Sequence, residues 1–470
     1  MEKQPAVKSY FFDQGYKDIS RVMKQTWTAA LSPVTKEISR VRSIFRSNVV
    51  AGVFTLLCDL LVFPLITLIM VLVNSLFSLV FLAAFLVAAV FIYLGYMIAY
   101  TVDLIFCLVK QIVSHCPNCQ KRFHIPSYKC PRCGVPHSSL RPSQYGILRR
   151  RCRCGAILPT TFFNGRQRLE AICPFCSTNI KDGGVHTGMM IPVVGGPSAG
   201  KTCFVNMAIS EIEKQAARAG LEFKYSPIDG DEYATNRMYM ESGALPMKTS
   251  DMRLRYYQFY LTPFGEEIKN LVSLCDVAGE AYDHSDELGS QIGYKYANAF
   301  IMLIDPLSVT KYKKSISGMI DVSKYGASHL GMDEILSSLI HTLENMHCLT
   351  AKNMMKTDVA VVFTKCDIPM LYGEIGFGAV RAYMNGHSGA NQYDATNAVC
   401  ERFLVKYEEE NFLNALKSKF KSVQFFTSSA LGHVEDGRAF TPSGVAEPVL
   451  WLIDKASKSI DLSDRWGRRI

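Results

Sequence analysis

The sequence predicts an α/β fold, a doubly wound and mostly parallel sheet, preceded by two transmembrane helices and two small metal-binding ribbons. Three observations carry that prediction: a long apolar stretch, four closely spaced cysteine pairs after it, and a C-terminal series of apolar runs ending in polar turns. At 470 residues the chain has room for a sizeable core plus accessory modules. The expected organisation is an amphipathic cytosolic segment (1–48), a transmembrane hairpin (49–112), a double zinc ribbon (113–182) and an α/β domain (188–470).

Between positions 49 and 113 the formally charged side chains are Asp59, Asp103 and Lys110. Such a stretch offers water little, and about 20 apolar residues cover the hydrocarbon of a bilayer. It divides into spans at 49–73 and within 77–109, with Asn74 and Ser75 as the turn. Pro64 is expected to kink the first span, and Asp59 to face the neighbouring helix or a polar end. A cleaved secretory signal is excluded, because the run is too long and begins too far from Met1. Residues 1–48 carry nine Lys or Arg against four acids, and residues 110–168 carry twelve basic residues and no acid. Basic flanks stay cytoplasmic, so both termini are expected there, on an integral membrane protein with two spans. With a net charge of only +9, the positive charge is concentrated beside the membrane. That distribution suits anionic lipid headgroups, with nucleic acid as the second choice. Upstream, Ile19, Val22, Met23, Trp27, Leu31, Val34, Ile38, Val41 and Phe45 recur at helical spacing, an amphipathic pattern broken at Pro33. Such a helix lies on a membrane surface or packs on another domain.

Fifteen cysteines on the cytosolic side argue for metal rather than disulfides, because thiols stay reduced there. Cys116 and Cys119 with Cys130 and Cys133 make one four-cysteine set, and Cys152 and Cys154 with Cys173 and Cys176 make another. Each close pair puts two thiolates on one tight turn, and two turns complete the tetrahedron zinc prefers. An iron–sulfur cluster is the competing chemistry. With four protein ligands each, two Zn²⁺ sites of this kind are structural. His124 and His137 are expected to be bystanders.

An apolar strand from Met189 to Val194 precedes Gly195, Gly196, Pro197, Ser198, Ala199, Gly200, Lys201 and Thr202, and a helix-compatible run begins at Cys203. In such a P-loop the glycines let backbone N–H groups turn toward phosphates, Lys201 neutralises the outer phosphates and Thr202 ligates Mg²⁺. The next apolar strand ends at Asp276, which can hold the Mg²⁺ shell, with Gly279 offering its N–H to a terminal phosphate. A further strand ends at Asp305 and Pro306, and another ends in Thr364, Lys365, Cys366 and Asp367. A carboxylate at Asp367 can accept both hydrogens of the guanine N1 and N2 edge, which adenine lacks, while the lysine stem lies along the base. A last strand leads into Ser428, Ser429, Ala430 and Leu431, a loop able to meet the base from the other side.

Across 188–470 the chain resembles the Ras-like, translation-factor-related class of P-loop GTPases. GGPSAGKT is similar to its first motif, DVAGE to its third, TKCD to its fourth and SSAL to its fifth. The resemblance implies GTP or GDP with Mg²⁺ as ligands. It also implies a second-motif threonine, for which Thr249 in LPMKTS is the candidate and Thr235 the fallback. Glu280 stands where relatives often carry a water-orienting glutamine, so the implied hydrolysis is slow or partner-stimulated. Hydrophobic hairpin, ribbons and enlarged domain together resemble the bacterial double-GTPase proteins suspected to act in conflict or defence gene clusters. That implies a bacterial inner membrane and a partner GTPase or effector. Helices are expected near 332–346 and 398–420, and an insertion at 373–390. Two other classes stay open: a P-loop ATPase, in which Asp367 is incidental, and a zinc-ribbon scaffold for nucleic acid, with nucleotide as a structural ligand.

Overall fold

The computed structural model describes residues 5–110, 112–116, 119, 121–180, 186–227, 232–246, 255–266, 269–276, 294, 297–345, 356–433 and 438–456. The chain divides into two compact units, one of residues 1–111 and 125–184, the other of residues 112–124 and 185–470.

In the first unit, helix α1 (Gln14–Ser47) is followed by helix α2 (Val49–Val109). Among the described residues α2 is the one helix long and apolar enough to cross a membrane. Its 61 residues at 1.5 Å each make a rod about 90 Å long. The expected turn at Asn74 and Ser75 is absent, which corrects the reading of two spans. Neither residue disrupts a helix as glycine or proline does, and the apolar run continues on both sides. The reversal occurs instead at Asn48, whose side-chain oxygen accepts from Val50 N at 3.1 Å and caps α2. The two helices then run side by side, Tyr16 meeting Tyr93 and Phe85 near one end, Phe45 meeting Gly52 at the other. Pro33 does not break α1 either. A proline cannot donate to the carbonyl four residues back, and the Ser32 hydroxyl donates to that Ala29 oxygen at 2.9 Å.

The far end of α2 is tied to the cysteine-rich segment. Asp103 and Arg166 form an ion pair at 2.9 Å, 1% and 3% exposed. The other Asp103 oxygen accepts from Phe162 N at 2.9 Å, and Arg166 also donates to the carbonyls of Leu140 and Thr160. Burial pulls the guanidinium pKa down, but Tyr128 and Asp103 outweigh it and leave Arg166 raised. Asp103 is thus an internal anchor for a small β layer rather than a charge facing lipid.

The second unit is built on a seven-stranded sheet. Its strands are β1 (His186–Gly195), β2 (Leu221–Tyr225), β3 (Arg255–Pro263), β4 (Lys269–Asp276), β5 (Ala299–Ile304), β6 (Asp358–Phe363) and β7 (Ser422–Thr427). Their order is β2-β3-β4-β1-β5-β6-β7. The five strands from β4 to β7 are parallel, and β2 and β3 add an antiparallel edge. Every residue of β5 and β6 is buried, which is why both read as unbroken apolar runs. Alternate residues feed two cores. Phe300, Met302, Val361 and Phe363 meet helices α5 (Met332–Asn345), α6 (Phe377–Gly386), α7 (Gln392–Lys406) and α8 (Glu410–Lys419). Ile301, Leu303, Ala360 and Val362 meet α3 (Lys201–Ala216), α4 (Tyr233–Glu241) and α9 (Ala446–Ala456). The fold is therefore mixed α/β with a mostly parallel central sheet, as expected. The 373–390 insertion is helical where it holds α6, anchored by buried Val380.

Candidate nucleotide site and metal centres

The polar ends of the parallel strands share one edge of the sheet, where ligands of open α/β sheets bind. Gly195 closes β1, and a Cβ there would lie 2.7 Å from the Leu303 carbonyl oxygen, so only glycine lets β1 and β5 approach this closely. The loop turns through left-handed backbone at Ser198 and Gly200, φ 57° and 88°, and α3 starts at Lys201 with its N–H groups pointing back at the loop. Pro197 and Ala199 are buried and Ser198 is exposed. Lys201, 7% exposed, donates from Nζ to the Gly195 and Gly196 carbonyls at 2.8 and 2.9 Å. Its ammonium is thereby held over the loop that the backbone has shaped for an anion.

Thr202 donates its hydroxyl to Asp276 Oδ2 at 2.7 Å. Burial pushes the Asp276 carboxyl pKa up, against the pull of Lys201 and the Thr202 hydrogen bond. A hydroxyl and a buried carboxylate in contact are a donor set that suits a hard divalent cation such as Mg²⁺. Cys203 is half-buried beside them, and burial pushes its thiol up to about 12, so it remains a thiol. Gly279, Glu280 and Thr249 lie outside the described residues. Thr235 falls on the exposed side of α4, so as a fallback it is a helix-surface residue.

The base-side residues assemble around the ends of β6 and β7. Cys366 N donates to the Ser428 carbonyl at 3.1 Å and Ser428 N to the Phe363 carbonyl at 2.8 Å, locking the two turns together. Ser429 Oγ donates to Asp367 Oδ1 at 2.5 Å and accepts from Gly432 N at 2.7 Å. Thr364 is buried, its hydroxyl donating to the Ile304 carbonyl at 3.2 Å, so it braces β6 against β5.

One cavity of about 440 Å³ joins the two sides. Ala199, Gly200 and Cys203 line it from the phosphate loop, Thr364, Lys365 and Asp367 from the end of β6, and Ser429, Ala430 and Leu431 from the end of β7. The volume is of drug-size to cofactor-size order. Sequence reasoning missed several contributions to its wall, among them Leu245, His433 and the turn of Lys324, Tyr325 and Gly326. That turn is brought in by Lys365, a contact no local pattern announces.

The cysteines regroup. In the first unit Cys130, Cys133, Cys152 and Cys154 come together, with Sγ–Sγ separations of 3.6 Å for Cys130–Cys154 and 3.7 Å for Cys133–Cys152. Four sulfurs at 2.3 Å from a tetrahedral zinc would lie about 3.8 Å apart, so this group fits that ion. Of the other paired cysteines, Cys116 and Cys119 belong to the second unit and Cys173 and Cys176 to the first. Pairing the knuckles in chain order is therefore corrected. The hairpin of Arg149–Cys152 with Ile157–Pro159 folds the third knuckle onto the second, and Arg132 fixes it by donating to the Cys154 carbonyl at 2.9 Å. His137 is buried outside the four-cysteine group, its pKa pushed down to about 4 by burial and then by Arg150.

A family model described as Double-GTPase 2 matches residues 189–439, more than half of the chain. Among solved structures, the GTPase-like domain of S. cerevisiae Ski7 bound to GTP is similar at 12% identity and a TM-score of 0.29, covering 59% of this chain and 51% of that one. The same domain bound to GDP and inorganic phosphate gives 13% identity and a TM-score of 0.28, covering 57% and 50%. The chain thus spans about half the length of those relatives. A comparison with curated proteins finds no match.

Proposed function

The chain belongs to the Double-GTPase 2 family, and on that premise we propose that it is a membrane-anchored GTP-binding switch that hydrolyses GTP. The observation that carries the reading is the single cavity shared by Gly200, Asp367 and Ser429. Its length runs from a phosphate-shaped loop to a carboxylate that can accept from guanine N1 and N2. In this reading Lys201 and the loop N–H groups from Gly195 to Cys203 hold the phosphates. Thr202 and Asp276 would hold Mg²⁺, which would supply positive charge beside the phosphates. Asp367 reads the base, Lys365 lies along it, and Ser429, Ala430 and Leu431 close the pocket. Thr249 and Gly279 sense the terminal phosphate, and Glu280 in place of a glutamine makes turnover slow or dependent on a partner. The phosphate loop, the DxxG stretch and the base motif follow the order of the Ras-like class.

Apolar helix α2 supports membrane anchoring, and the basic residues at 110–168 favour anionic lipid beside it. The group of Cys130, Cys133, Cys152 and Cys154 would hold Zn²⁺ and help fold the cysteine-rich segment that follows α2. In this reading the partner is a second GTPase or an effector protein, in a bacterial conflict or defence system. The test is competition for a fluorescent GDP derivative bound to the purified full-length protein in detergent. GTP and GDP are expected to displace it and ATP is not; equal displacement by ATP overturns the reading in favour of an ATPase.

A further inference from the structure

Asp305 follows β5 directly and has no part in the assignments above, yet it is 2% exposed and accepts three hydrogen bonds. Its Oδ2 accepts from Lys365 Nζ at 2.7 Å and from Ser328 N at 2.9 Å, and its Oδ1 accepts from Leu307 N at 2.9 Å. Lys365 Nζ also donates to the carbonyls of Tyr325 and Gly326 at 3.0 and 2.9 Å. A lysine ammonium has three protons, so all of them are engaged with Asp305 and the Tyr325–Gly326 turn. What remains of Lys365 to face the cavity is its alkyl stem. The residue stands in left-handed backbone at φ 58°, a conformation an L-residue keeps only where its surroundings hold it. The Ser328 end of the same segment rests on the phosphate loop, because a Cβ on Gly196 would come 2.5 Å from Ser328 Oγ.

We propose that Asp305 is a positioning residue for guanine. It draws the Lys365 ammonium away from the cavity, turns the stem into a flat wall for the purine, and links that wall through Ser328 to the phosphate loop. The inference rests on the guanine reading above and goes beyond it by assigning the element that orients the base motif. Lys365 without this carboxylate would keep only its two carbonyl partners and lose its counter-charge, and its strained backbone would lose a tether.

The experiment is a double-substitution cycle on the full-length protein in detergent, using Asp305→Asn, Lys365→Met and the pair, with GDP and ADP affinities measured calorimetrically. Asp305→Asn is expected to weaken GDP about tenfold, the scale of one charge-assisted hydrogen bond. In the Lys365→Met background the same change is expected to do nothing further, because its target is gone. A purely structural role would instead lower affinity equally in both backgrounds, and that result overturns the proposal, as does unchanged GDP affinity in Asp305→Asn. Should Asp305→Asn not fold, Lys365→Met alone carries the test: it keeps the stem and removes the tether, and wild-type GDP affinity there refutes the idea. A wild type that binds ADP as tightly as GDP removes the guanine reading and this inference with it. A wild type that prefers GDP, with Asp305→Asn unaffected, removes this inference alone.

Discussion

Gly195→Ala adds one methyl group at the point where the phosphate loop leaves the sheet. Its Cβ would sit 2.7 Å from the Leu303 carbonyl oxygen and 3.2 Å from Leu303 Cβ, against an optimum of roughly 3.5–4.0 Å between carbons. Neither neighbour can yield cheaply, because Gly195 and Leu303 are paired in the β1–β5 ladder. Overpacking of this kind costs about 1–3 kcal/mol, which in a domain of this size lowers the unfolding midpoint by about 2–10 °C. The strain also reaches the site, since the Gly195 carbonyl accepts from Lys201 Nζ at 2.8 Å. Gly200→Ala is the matched control: nothing lies within 4 Å of its Cβ, and only the φ of +88° opposes the substitution, a penalty of about 1–2 kcal/mol. Thermal unfolding of the full-length protein, followed by tryptophan fluorescence with and without GDP, compares the two. Gly195→Ala should lose both stability and the GDP-induced rise in midpoint. A variant unfolding at the wild-type temperature with the full GDP shift would refute the close-approach argument.

Asp276→Asn should separate stability from function. Because burial raises the folded-state pKa of Asp276, its favourable contribution is present below the usual carboxylate range and is lost as pH rises through the raised value. The nucleotide-free asparagine variant is therefore expected to unfold at a higher temperature than wild type at neutral pH, with the gap closing in acid, while its stabilisation by Mg²⁺ and GTP falls. A variant less stable than wild type at neutral pH speaks against the buried-charge account. Arg166→Ala strands the Asp103 carboxylate, 1% exposed, and should destabilise its unit by about 3–5 kcal/mol; protease resistance of the segment after α2 reads this out, and wild-type resistance would contradict it. Elemental analysis should find zinc bound to the chain, matching the group of Cys130, Cys133, Cys152 and Cys154, and Cys152→Ser should lower the content by one ion per chain. Unchanged zinc content would mean that Cys152 is not a ligand.

Strands β5 and β6 could be read from the sequence because burial on both faces demands unbroken apolar runs, and their exits marked where polar chemistry would gather. The antiparallel strands β2 and β3 carry charged and tyrosyl residues, Glu222, Lys224, Arg255 and Tyr256 among them, and give no such signal. Local reasoning also failed where a distant or unexpected partner decided the outcome. Pro33 was expected to break a helix that the Ser32 hydroxyl repairs. Asn74 was expected to turn a chain that turns at Asn48. Cysteine spacing identified the knuckles, but which knuckle meets which depends on strand pairing that spacing does not encode. Asp305 was visible as a strand-end acid, while its engagement with Lys365 needed the fold of the Tyr325–Ser328 segment.

The most direct test of the account exchanges the hydrogen-bonding sense of one side chain. Asp367→Asn replaces an acceptor oxygen by an amide donor, which clashes with the guanine 2-amino group and complements the 2-oxo group of xanthine. Titrating the wild type and this variant with GDP and xanthosine diphosphate should show GDP preference in the first and xanthosine diphosphate preference in the second, a gain that no folding defect can imitate. If the variant keeps wild-type GDP affinity and acquires none for xanthosine diphosphate, Asp367 does not touch the base and the shared cavity holds some other ligand.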